Sequence, residues 1–121
     1  MANTQSMCTS FMSELMYGYH QFGQPTLTSR GSLTAPTNDT FKGALYLASA
    51  TINASTTAYS ATGEVSGTGY TAGGVAVTNA TAPTSTNTSA TAGVAYWTPS
   101  ASLTYTSVTL TTAFDTVLIY N

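Results

Sequence analysis

Apolar residues recur at helical spacing once in the chain. Phe11, Met12, Leu15, Met16 and Tyr19 are separated by intervals of three and four, which predicts a short amphipathic helix. Thr9 or Ser10 can cap its start through a side-chain oxygen. Glu14 is expected in the first turn, where the helix dipole favours an anion, and Gly18 or Gly23 can end the helix. A helix of about ten residues is marginal in water, so it must pack on its own sheet or on a neighbouring subunit. Residues 1–8 show no periodicity and read as an arm.

From residue 41 the period changes from helical to alternating. Residues 41–48 read as a strand with Leu45 and Leu47 on one face and Tyr46 on the other. Four more strands are expected at residues 75–78, 94–98, 103–110 and 114–120. The strand at 103–110 is stopped short of regularity by a bulge near Ser107, and Pro99 closes the one at 94–98. Residues 49–63 carry no strong element, and residues 81–91 read as a Thr/Ser/Asn loop. Between them the Gly- and Tyr-dense residues 63–74 announce positive φ or close backbone approach. The pattern divides into an arm and helix over 1–22, a Pro/Ser/Thr connector over 23–40 and a β domain over 41–121, one domain overall. The expected fold is mainly β: a compact antiparallel β-sandwich or barrel-like domain with one short N-terminal helix.

Composition changes the picture most through what it lacks. Only Glu14, Arg30, Asp39, Lys42, Glu64 and Asp115 are charged among 121 residues, 5% against about 25% in a typical soluble domain. Thr and Ser together number 40. Two cations are too few to neutralise a phosphate backbone, so no nucleic-acid partner is expected. No run approaches the roughly 18 apolar residues of a membrane helix, and the first eight residues lack the basic and apolar segments of a signal peptide. Synthesis in a cytosol is expected. Cys8 is the lone cysteine, which leaves no internal disulfide or cysteine zinc cluster and suits a small buried apolar group. Eight Tyr, four Phe, one Trp and a net charge of −2 argue against disorder. A wettable but weakly repulsive surface fits a subunit that ends in an assembly better than a free secreted β domain.

The chemistry available to such a chain is thin. His20 is the only histidine, and Asp39 or Asp115 could orient it in a Ser-His-Asp arrangement. No Gly-x-Ser-x-Gly turn presents a serine, so a structural histidine is the better reading. Glu14, Asp39, Glu64 and Asp115 are scattered, without the pairing a glycosidase needs. Gly67-Thr68-Gly69 with Gly73-Gly74 lacks the lysine and following helix of a phosphate loop and reads as a tight crossing. The Asn-x-Ser/Thr triplets at Asn38, Asn53, Asn79 and Asn87 are what chance supplies in so hydroxyl-rich a chain. No catalytic residue, cofactor or metal set is expected, and the chain reads as non-enzymatic.

Several segments together resemble a family of small virion-associated structural proteins of tailed bacteriophages. They are Cys8-Thr9-Ser10-Phe11 with Glu14-Leu15, residues 41–46, Thr57-Ala58-Tyr59, residues 64–74, and Leu118-Ile119-Tyr120-Asn121. The likeness covers nearly the whole chain, and residues 64–74 are its most specific part. It implies a non-enzymatic subunit of a phage virion: a capsid decoration or cement protein, or another head, neck or tail component. Its implied partners are other virion proteins and copies of itself, as a homo-oligomer, after synthesis in the host cytoplasm. Proteins of that kind continue beyond the Ile-Tyr-Asn segment with more β-rich sequence, whereas this chain stops at Asn121. Without further strands, residues 114–120 would present a hydrophobic edge open to pairing. Phe11, Leu15 and Tyr19 are the expected contact residues for a partner, because a marginal helix needs a packing surface. The alternative is a host-recognition or carbohydrate-binding module of a fibre or tail tip, with Tyr70, Tyr96, Trp97 and Tyr105 stacking on sugar rings.

Overall fold

The structure, a computed structural model, describes residues 6–20, 22–23, 38–78, 83–86 and 93–121. Most of the expected connector and much of the 81–91 loop lie outside these residues. Among the described residues one helix, α1 (Thr9–Tyr17), precedes seven strands: β1 (Lys42–Tyr46), β2 (Gly67–Thr68), β3 (Val75–Ala76), β4 (Thr84–Ser85), β5 (Ala95–Tyr96), β6 (Thr109–Leu110) and β7 (Thr116–Tyr120). All pairings are antiparallel. They form a three-stranded sheet in the order β3-β1-β7 and two ladders, β2-β6 and β4-β5. The fold is therefore mainly β with one short helix, and no barrel closes among the described residues.

β1 is central and, at Lys42–Tyr46, shorter than the expected 41–48. Ala44, Leu45 and Tyr46 are all buried, because the strand is flanked by β3 and β7 and covered on both faces. Leu47 falls just beyond the strand, where its N–H bonds the Gly63 carbonyl at 3.0 Å. On one face, Ala44, Tyr46 and Leu118 pack with Ala50, Ile52, Tyr59 and Tyr120. On the other, Gly43 pairs with Ile119 and Leu45 with Val117. Gly43 leaves space there for Leu103, whose methyl a Cβ would strike, and for Tyr105, whose hydroxyl donates to the Gly43 carbonyl at 2.6 Å.

That second face explains why the alternating stretch 103–110 is not a strand along its length. Only Thr109 and Leu110 pair, with Thr68 and Gly67. Ser107 stands at φ 55, so the expected bulge is a left-handed turn that interrupts the ladder. The alternation still acts, since Leu103 and Tyr105 reach the same face of β1. β2 and β4 were not expected. Two residues of Gly, Thr or Ser leave no periodic signal, and β4 forms inside the expected loop because β5 offers it a partner. Val94 and Thr86 extend that ladder by mutual hydrogen bonds at 3.1 Å.

The glycine-dense segment does what its composition announced. Gly74 has φ +70 and lies so close to the Gly43 carbonyl that a Cβ could not fit. This contact lets β3 join β1, with the Val77 N–H on the Phe41 carbonyl at 2.8 Å.

α1 departs from expectation at its start and keeps to it at its end. Cys8 is the N-cap in extended conformation, and no side chain caps the helix. Thr9 instead bonds outward, its N–H and hydroxyl both donating to the Ala54 carbonyl at 2.9 and 3.2 Å. Tertiary anchoring thus replaces the local cap. Glu14 is the sixth helical residue and not in the first turn. At the end Gly18 adopts φ 72, with its N–H on Leu15 and that of Tyr19 on Glu14, the paired closure that a left-handed glycine permits.

Candidate functional site

Two polar centres organise the molecule. The first is Glu64, which forms a β-bridge with Tyr46 beside the central sheet. One of its carboxylate oxygens accepts the Tyr59 hydroxyl at 2.6 Å; the other accepts the Tyr70 hydroxyl at 2.6 Å and the Gly73 N–H at 2.7 Å. Tyr70 also accepts the Leu45 N–H at 3.0 Å, completing a β1 donor that β3 does not reach. Tyr59 stacks on Tyr120 at 4.7 Å, and Tyr120 donates to the Gly73 carbonyl at 2.9 Å. Tyr46 donates to the Ser60 carbonyl. Five of the eight tyrosines thus converge around one carboxylate, if Tyr105, stacked on Tyr70 at 6.1 Å, is included.

The electrostatics follow from that convergence. The hydrogen bond to the Glu64 carboxylate is the main cause holding Tyr59 neutral, its pKa pushed up to about 12. Burial, then the bond to Glu64, raises Tyr70. Burial chiefly raises Tyr46, Tyr105 and Tyr120 as well. A carboxylate with three donors is an anchor for loops, with little acceptor capacity left for a substrate.

The second centre joins the helix to the body. His20 lies with Nε2 2.8 Å from Glu14 and Nδ1 3.5 Å from Asp39, its side chain only 11% exposed. Around it are Phe11 at 4.9 Å and Phe41 at 6.1 Å, and Phe22 stacks on Phe41 at 4.7 Å. Trp97 closes the cluster against Phe22 and Phe41 at 5.1 and 5.7 Å. Of the two aspartates considered for a Ser-His-Asp arrangement, Asp39 reaches His20. Asp115 instead sits at the start of β7 with its N–H on the Tyr46 carbonyl. Glu14 occupies the position at Nε2 where a nucleophilic serine would be needed.

The three residues expected to meet a partner are separated by this cluster. Phe11 turns inward onto His20 and Phe22. Leu15 and Tyr19 face outward, 40% and 68% exposed, with Met16 at 86% beside them and Tyr17 stacked on Tyr19 at 5.4 Å. The four rings considered for sugar stacking do not make one platform. Tyr70 and Tyr105 stack on each other with their hydroxyls engaged, Trp97 lies in the aromatic cluster, and Tyr96 alone of the four is exposed. An open depression of about 780 Å³ is walled by residues 49–63, with Ile52, Thr56 and Tyr59 in its lining and no charged side chain. Cys8 is half-buried with its thiol toward the Asn53 carbonyl. Among the described residues no group of three His, Cys, Asp or Glu is arranged to hold a metal.

Sequence reasoning passed over Glu64, Phe22 and the inward role of Phe11. A signal for Glu64 existed: it is the one charged residue between Tyr59 and Tyr70 in a glycine-rich stretch. No protein-family model matches the chain, and neither a curated protein nor a solved structure matches it.

Proposed function

We propose that the chain is a non-enzymatic structural subunit of a tailed-bacteriophage virion. It would serve as a capsid decoration or cement protein, or as another head, neck or tail component. It acts by contact with other virion proteins and with copies of itself. The observation that carries the reading is α1, which has no buried residue and holds Leu15, Met16, Tyr17 and Tyr19 outward on an almost uncharged body. The helix is not loose: Thr9 ties it to Ala54, and Phe11 and Glu14 tie it to His20. A fixed apolar helix face on a small domain is the form a protein contact takes. Burying the 86% exposed Met16 against a partner supplies roughly 1.5–3 kcal/mol, and Leu15, at 40% exposed, contributes less than half as much. The resemblance to phage structural proteins, strongest over residues 64–74, supplies the kind of assembly. No described helix is long and apolar enough to cross a membrane.

The same reading takes the β3-β1-β7 sheet as one layer of a small sandwich, with residues 103–105 and the β2-β6 ladder as the other. Leu103 and Tyr105 against Gly43 support it. The test is incorporation. Leu15→Glu, Met16→Glu and Tyr19→Ser replace exposed side chains and leave the Phe11–His20 contact in place. Particles grown with this variant should lose the protein, as judged by mass spectrometry of gradient-purified virions. Normal copy number would overturn the helix as the contact surface.

A further inference from the structure

The outer edge of β7 carries an inference that rests on the assembly reading and makes it specific. In β1 the carbonyls of Phe41 and Leu45 accept from Val77 and Val65, so its odd-numbered residues face away from β7. The even-numbered residues Lys42, Ala44 and Tyr46 therefore bond Tyr120, Leu118 and Thr116. Val117 and Ile119 must then direct their N–H and C=O groups to the opposite side, where no further strand pairs among the described residues. Their side chains are 44% and 46% exposed. Natural edge strands are commonly guarded by Lys, Pro or a covering segment, and residues 116–120 contain neither residue.

We propose that β7 pairs antiparallel with β7 of a second copy, centred on Leu118, to form a continuous six-stranded sheet. The free groups are backbone donors and acceptors in alternation, so the occupant is an extended strand. Two features favour a second copy. The register is self-complementary: Val117 of one copy faces Ile119 of the other on the same side of the sheet, twice, with four backbone hydrogen bonds. Charge agrees as well. Asp115 is the one ionised residue in the segment 115–121, and antiparallel pairing sets it opposite Asn121 of the other copy. The two Asp115 carboxylates then lie roughly 20 Å apart, beyond the roughly 8 Å screening length in physiological salt. A parallel pairing would place them side by side. With a net charge of −2 per chain, little repulsion opposes the contact.

The experiment uses the full chain, with sedimentation equilibrium for mass and amide hydrogen exchange for position. The chain should be a concentration-dependent dimer in which the Val117 and Ile119 amides gain protection with dimerisation. Val117→Lys with Ile119→Pro charges the edge and removes an outward N–H, at positions whose side chains lie beside Leu45 and Gly43 and are nearly half exposed. It should weaken the dimer more than about 100-fold while leaving the far-ultraviolet circular dichroism unchanged. A monomer at all concentrations overturns the proposal, as does a dimer that persists in the variant or leaves these two amides exchanging freely. A variant that no longer folds is replaced by Val117→Lys alone, judged on the same readouts. A monomeric chain that is still found in virions overturns the edge pairing and leaves the virion reading standing. A dimer whose chain is absent from virions does the reverse.

Discussion

Removing the Glu64 carboxylate should expose how far one charge holds this fold together. Glu64→Ala takes away three acceptor contacts, to Tyr59, Tyr70 and the Gly73 N–H. Hydrogen bonds to a charged group contribute about 1.5–3 kcal/mol net, and a stranded buried donor costs about 1–3 kcal/mol. Tyr59 is half-buried, so water replaces its acceptor and its share falls at the low end. Gly73 is buried and its N–H is left without a partner, while Tyr70 keeps the Leu45 N–H. The sum is about 4–6 kcal/mol, about a third to a half of the middle of the roughly 6–18 kcal/mol range expected for a chain of this length. Glu64→Gln keeps one acceptor oxygen and should cost only about 1–2 kcal/mol. Urea unfolding followed by tyrosine and tryptophan fluorescence measures both. At about 2 kcal/mol per molar, the midpoint of Glu64→Ala should drop by about 2–3 M. Tyr59→Phe combined with Glu64→Gln should show non-additivity, because the two substitutions remove the same bond. If Glu64→Ala and Glu64→Gln both unfold within about 0.5 kcal/mol of the parent, the tyrosine cluster is not organised by this carboxylate.

Gly74→Ala forces a side chain into a left-handed backbone and onto the Gly43 carbonyl; it should cost more than about 4 kcal/mol and detach β3, seen as lost amide protection at Val77. Phe41→Ala empties the buried meeting point of the helix cluster and the sheet and should cost about 3–5 kcal/mol in thermal or chemical unfolding. At alkaline pH the sign is set by the raised tyrosines. Their neutral forms are favoured in the fold, so the stabilisation is complete below pH 10 and is lost as pH rises through about 12 for Tyr59. Urea midpoints measured across that range should fall, and Glu64→Ala should flatten the fall by removing the main cause of the Tyr59 shift.

The elements that sequence periodicity reveals are those whose side chains pack by their own pattern. α1, β1 and β7 were legible because Phe11, Leu45 and Leu118 recur at the spacing their elements impose. Gly18 was legible as a helix end because a left-handed closure needs no Cβ. What stayed hidden depends on distant partners. Thr9 looked like a cap, but Ala54, 45 positions away, takes its hydroxyl. β2 and β4 exist only because β6 and β5 meet them. Ala44, a small residue without pattern, is the most enclosed point of the sheet together with Tyr46. At the candidate contact surface, spacing alone groups Phe11, Leu15 and Tyr19 on one apolar face, without saying whether that face meets the chain's own sheet or a neighbour. The inward turn of Phe11 could not be read from it, because His20, Phe22 and Trp97 come together only in three dimensions.

As a proposed virion subunit, the chain should be a built-in part of a phage particle. A cryo-electron-microscopy reconstruction of washed, intact virions tests it most directly. Ordered density is expected for the β3-β1-β7 sheet in symmetric copies, with α1 seated through Leu15, Met16 and Tyr19 on a neighbouring virion protein. Particles that are complete and infectious yet contain no such density would contradict it.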